Sequence, residues 1–94
     1  MKLWLISQGD NNGYDTYDSA VVAAETEREA KETHPGQEFW KDGSWWYKMM
    51  DGTDRKDSFY GTWASSPDRV DAEYLGEAKD GTEAGVVCAS FNAG

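Results

Sequence analysis

His34 and Cys88 are the only histidine and the only cysteine of the chain. Acid–base or nucleophilic catalysis of the familiar Ser/His/Asp or Cys/His kinds would have to be assembled around them. His34 stands directly before Pro35, where a helix must end, and imidazole interacts favourably with a helix C-terminus. Cys88 lies in Val86-Val87-Cys88-Ala89, which reads as a small buried thiol in a strand. A single cysteine excludes an intramolecular disulfide and a cysteine-rich zinc site. Glu73 and Glu77 could form a carboxylate pair, but acids alternating along an exposed strand face are ordinary. Asp10, Asn12, Asp15 and Asp18 offer oxygen ligands of the type that hold calcium or magnesium. The EF-hand pattern needs glycine at its sixth position and an acid at its twelfth, and counting from Asp10 these fall on Asp15 and Val21. No glycine-rich phosphate loop follows a strand. The expectation is a non-enzymatic chain with no catalytic, cofactor-binding or metal-binding residues.

The elements are organised around Asn11-Asn12-Gly13-Tyr14-Asp15-Thr16-Tyr17-Asp18-Ser19, which reads as a turn between two apolar strands at residues 3–7 and 19–24. Thr26-Glu27-Arg28-Glu29 is a capping box, and predicts a short polar helix that stops near His34. From residue 36 to 62 the signals are hairpin-like, with Asp-Gly turns at Asp42-Gly43 and Asp51-Gly52 flanking a strand over 44–50. Asp54-Arg55-Lys56-Asp57 reads as a charged loop, and residues 59–63 as a further short strand. Ser66 and Pro67 suit the cap and first position of a helical turn. Residues 70–77 alternate as a half-exposed strand, and residues 85–91 form a last strand apolar enough to be central. The expected fold is α+β, a single twisted antiparallel sheet of four to six strands with one short helix on one face. Residues 1–94 form one domain.

Eighteen acids against nine bases give a net charge of −9. This excludes direct nucleic-acid binding through phosphate contacts and favours partners with basic surfaces. The first six residues, Met1-Lys2-Leu3-Trp4-Leu5-Ile6, are too short an apolar run for a signal peptide or membrane span. A cytoplasmic setting without membrane association is therefore expected. Residues 35–64 carry eight of the thirteen aromatics. Most should fill the core, since the chain is poor in Leu and Ile. Trp45 and Trp46 are consecutive, so in a strand they face opposite ways, and an exposed Trp or Tyr is a natural interface anchor.

The segment Asn-Asn-Gly-Tyr-Asp-Thr-Tyr-Asp-Ser-Ala-Val-Val-Ala-Ala and the ending Gly-Val-Val-Cys-Ala-Ser-Phe-Asn-Ala-Gly resemble short uncharacterised proteins encoded by bacteriophages and prophages. The resemblance covers roughly the first 35 and the last 30 residues. It implies no catalytic residue. By analogy of size and charge, small acidic phage proteins include inhibitors of bacterial defence, anti-CRISPR proteins among them. The expected function is binding to a host defence complex at its basic nucleic-acid surface, in the host cytoplasm. The contact residues expected are Tyr14, Asp15, Tyr17, Asp18, Trp45, Trp46, Asp71, Glu73 and Glu77. The alternative is a structural or accessory phage protein that acts as a homodimer, without an inhibitory target.

Overall fold

In the computed structural model, which describes residues 1–10, 16–57 and 62–92, the chain is α+β. The strands divide between two antiparallel sheets where one was expected. The larger sheet is built from β1 (Lys2–Gln8), β2 (Thr16–Ala24), β6 (Val70–Glu77) and β7 (Gly85–Asn92), in the order β6-β1-β2-β7. The smaller is built from β3 (Phe39–Lys41), β4 (Ser44–Lys48) and β5 (Asp54–Lys56), in sequence order. Asp54-Arg55-Lys56 is thus a strand and not a loop. Its charges are accommodated because all three residues are exposed at a sheet edge, and Asp54 pairs with Lys41 and Lys48. The segments 11–15, 58–61 and 93–94 lie outside the described residues, and with them most of the Asn11–Ser19 turn and the strand expected over 59–63.

The helix, α1 (Glu27–Lys31), begins where the capping box places it. Thr26 Oγ1 accepts the Glu29 N–H at 3.1 Å, and Glu29 reaches back to the Glu25 N–H at 3.1 Å. Arg28 ties the helix to Asp68, in the 3-10 turn Pro67–Arg69. Ala30 is the residue α1 buries, against Ile6 and Val22. The cap carries much of this five-residue helix, so Thr26→Ala should lower stability by about 1 kcal/mol, read as a shift in Tm. An unchanged Tm would show that tertiary contacts alone hold α1.

Parity decides the two faces of the larger sheet. Trp4, Ile6, Ala20, Val22, Ala24, Val70 and Ala72 face the core, where they meet Ala30, Trp45, Trp63 and Ala64. Leu3, Leu5, Ser7, Ser19, Val21 and Ala23 face the other way. The expected central position of residues 85–91 is corrected: β7 is an edge strand, and so is β6. Consecutive in sequence, these two strands lie about 14 Å apart across β1 and β2, and residues 78–84 cross the end of the sheet between them. Cys88 is correspondingly exposed, not buried.

The β3–β4 connection is the two-residue Asp42-Gly43 turn, both residues at positive φ (51° and 75°), the geometry of a type I′ hairpin. It places Trp45 on the inner face of β4 and Trp46 on the outer. Trp45 donates its indole N–H to the Ala64 carbonyl at 2.9 Å and so docks the smaller sheet onto the common core.

Candidate functional site

The residues expected to form a contact rim separate into distinct environments. Tyr14 and Asp15 lie outside the described residues. Tyr17 packs on the core and meets Phe91 edge-on, with ring centroids 4.7 Å apart. Asp18 is exposed at an irregularity in the β2–β7 pairing. Trp45 is only 1 % exposed, so it is core and no anchor. Trp46 is half-buried, its indole N–H donated to the Lys41 carbonyl and the Lys41 ammonium 4.5 Å from its ring centre. These two rings therefore serve the smaller sheet.

Asp71 and Glu73 stand opposite Ser7 and Leu5 on the face of the larger sheet that points away from the core. Plain alternation would put Glu77 beside them. Instead the β1–β6 register shifts between Leu3 and Trp4, leaving Leu75 as the extra residue and setting Glu77 opposite Lys2 on the Trp4 face. There Glu77 accepts the Tyr74 hydroxyl at 2.9 Å. The bulge thus separates Glu73 from Glu77, and the two do not form a carboxylate pair.

What β6 retains is an exposed acidic edge. Residues 70–83 hold five acids against one lysine. From Asp71 the outward face runs across the sheet through Ser7 and Ser19 to Ser90, and from Glu73 through Leu5 and Val21 to Cys88. It is a surface of small and aliphatic side chains, acidic along one side, with a shallow hollow of about 170 Å³ among Leu5, Ser19, Val21, Cys88 and Ser90.

A second grouping escaped the sequence reading. His34, Glu38 and Asp57 are all buried, and the His34 ring packs against Trp45 and Trp63. Its place before Pro35 predicts a seat at the helix C-terminus, but His34 lies beyond the helix, and its side chain is 2 % exposed. Its Nδ1 accepts the Gly36 N–H at 2.8 Å. The neutral ring therefore carries its proton on Nε2, which faces Glu38 Oε2 at 3.2 Å. A Cβ on Gly36 would stand 3.0 Å from the imidazole, tight enough that the ring would have to shift slightly to admit it.

Burial is the main cause that lowers His34 to about 4, against an opposing pull from Asp57. Burial, followed by the hydrogen bond and the charge of Asp57, pushes Glu38 up to about 8. Glu38 Oε1 has no donor within reach among the described residues. A raised pKa keeps a proton on Glu38 near neutral pH, and its carboxyl hydrogen-bonds Asp57. Tyr47 is raised as well, by burial first and then by Glu38 and Asp57.

The signal for this cluster was weak. His34 and Glu38 are four apart, but Pro35 excludes the helix that would normally give that spacing meaning. Above the pair is a cleft of about 410 Å³ between residues 33–38 and 83–86. Both imidazole nitrogens are engaged, and Cys88 lies on the opposite side of the larger sheet. The arrangement ties the segment before β3 to the end of β5.

Asp10 has a structural role. Asp10 Oδ2 accepts the Ser65 N–H and hydroxyl at 3.1 and 2.9 Å, and these bonds, Ser65 N–H first, hold its carboxyl below the ordinary range. Among the described residues, no group of three or more His, Cys, Asp or Glu side chains is placed to hold a metal ion. No described helix is long and apolar enough to cross a membrane. Comparison with protein-family models, with curated proteins and with solved structures returned no match.

Proposed function

We propose that this chain is a non-enzymatic, phage-encoded binding protein that inhibits a host defence complex of the CRISPR type by occupying a basic nucleic-acid-binding surface. The observation that carries the reading is the acidic edge: Asp71 and Glu73 exposed on a border strand of an open sheet face, in a chain of net charge −9. Carboxylates on a rigid strand are held about 7 Å apart along one face. They present negative charge without the ordering cost that a mobile tail would incur on binding. The phage origin rests on the resemblance of the two terminal segments, and the host cytoplasm follows from that origin. The engagement of both His34 nitrogens and the separation of Glu73 from Glu77 support a binding role over catalysis.

Steering between an acidic edge and a basic channel is screened by salt. Affinity for the effector complex should fall on the order of tenfold between low and moderate ionic strength. The double variant Asp71→Asn, Glu73→Gln should lose most of that dependence while keeping its Tm, since both side chains are exposed. Salt-insensitive binding, or an unaffected double variant, would move the contact away from β6.

A further inference from the structure

The two edges of the larger sheet are unlike. β6 carries Asp71, Glu73 and Glu77 together with a bulge, the devices by which edge strands avoid pairing with other chains. β7 carries no charged residue, and neither does any position from Ala84 to Gly94. Every residue from Val87 to Phe91 is exposed, Val87 at 55 %. Among the described residues nothing pairs with the outer side of β7.

We propose that the outer edge of β7 pairs antiparallel with β7 of a second copy across a two-fold axis, joining two four-stranded sheets into one of eight strands. The occupant follows from charge. A chain of net charge −9 repels its own copies, so close self-association requires a surface that brings no carboxylates together. Of the four strands in this sheet, β7 alone is uncharged. A basic partner would gain nothing there from the acidity of the chain, whereas a second copy offers the same neutral edge. The pairing irregularity between Val21 and Val22 leaves Val87 as the extra residue of β7, whereas the one beside Phe91 and Ser90 places its extra residue, Asp18, on β2, so Cys88–Asn92 is the stretch of β7 without a bulged residue. Self-pairing there is centred near Ser90. The contact is isologous, and because the β6 edges remain guarded it closes at two copies.

This inference is independent of the defence target and has the opposite salt dependence, because salt screens repulsion between the copies. Sedimentation equilibrium of the purified protein at about 0.1 M and about 1 M salt, where the Debye length is about 10 and about 3 Å, reads it directly. The expected result is a concentration-dependent rise from the 10.5 kDa monomer to twice that mass, stronger at the higher salt. Ser90→Glu, which brings two carboxylates together near the axis, should weaken dimerisation at least tenfold. Its Tm under monomeric conditions checks that it folds. Hydrogen exchange on the unaltered protein gives a second reading, with alternate β7 amides gaining protection as concentration rises. A monomer at all concentrations, growth beyond two copies, or a dimer indifferent to Ser90→Glu with no change in β7 exchange would overturn the proposal.

Discussion

Trp45→Ala is expected to cost about 3–5 kcal/mol, enough to unfold much of the population of a domain this size at moderate temperature. The ring is fully buried and touches His34 and Trp40 edge-on, with centroids 4.9 and 5.1 Å away. Its removal opens a cavity between the two sheets and leaves the Ala64 carbonyl without its indole donor. Trp45→Phe, which keeps a ring but loses the N–H, should fall between. Trp46→Ala is the control. The neighbouring residue on the opposite face of β4 is half-buried, with one indole hydrogen bond and an exposed cation contact, and should cost about 1 kcal/mol. Chemical denaturation of the three variants measures the difference. Equal losses at Trp45 and Trp46 would contradict the assignment of faces.

The second large effect is a fall in stability as pH rises from about 6.5 to about 8. Glu38, raised to about 8, holds its proton in the folded state where the unfolded chain has released it. Its contribution is therefore complete below the ordinary Glu range and is lost as pH climbs through 8. His34, lowered to about 4, works the other way: its contribution is nearly complete above about 6.5 and is lost as pH falls towards 4. Between about 4.5 and 6.5 the two slopes oppose each other. Above 6.5 the Glu38 slope outweighs that of His34, and the net loss by pH 8 is about 1 kcal/mol, or roughly 6 °C in Tm. Glu38→Gln keeps an acceptor for His34 Nε2 and a donor for Asp57 but cannot titrate, so its Tm should not fall over that window. A fall that survives in Glu38→Gln would place the titrating group elsewhere.

Local chemistry was readable wherever it is decided within a few residues. The capping box at Thr26 and Glu29, the Asp42-Gly43 turn and the opposed faces of Trp45 and Trp46 all follow from backbone preference or strict alternation. What depends on partners distant in sequence was not readable. The apolar run of β7 suggested a central strand, but strand order is set by pairing across the sheet, which seats β7 outside β2 and exposes Cys88. The docking of the smaller sheet likewise rests on Trp45 reaching Ala64, nineteen positions away. Bulges leave no trace in the alternation of residues 70–77, and the one at Leu75 moves Glu77 off the face of Asp71 and Glu73. The acidic rim is for that reason smaller than expected. His34 drew attention as the lone histidine, yet its environment is supplied by Glu38, Asp57 and two tryptophans gathered from other segments.

The binding role is tested most directly by competition. A CRISPR effector complex, loaded with labelled target DNA at low salt, is titrated with the protein and with the Asp71→Asn, Glu73→Gln variant. The acidic-edge account predicts that the protein displaces the DNA, that displacement weakens as salt rises, and that the variant displaces poorly while folding normally. Undiminished displacement by the variant, or DNA that stays bound at every concentration and salt, would contradict it.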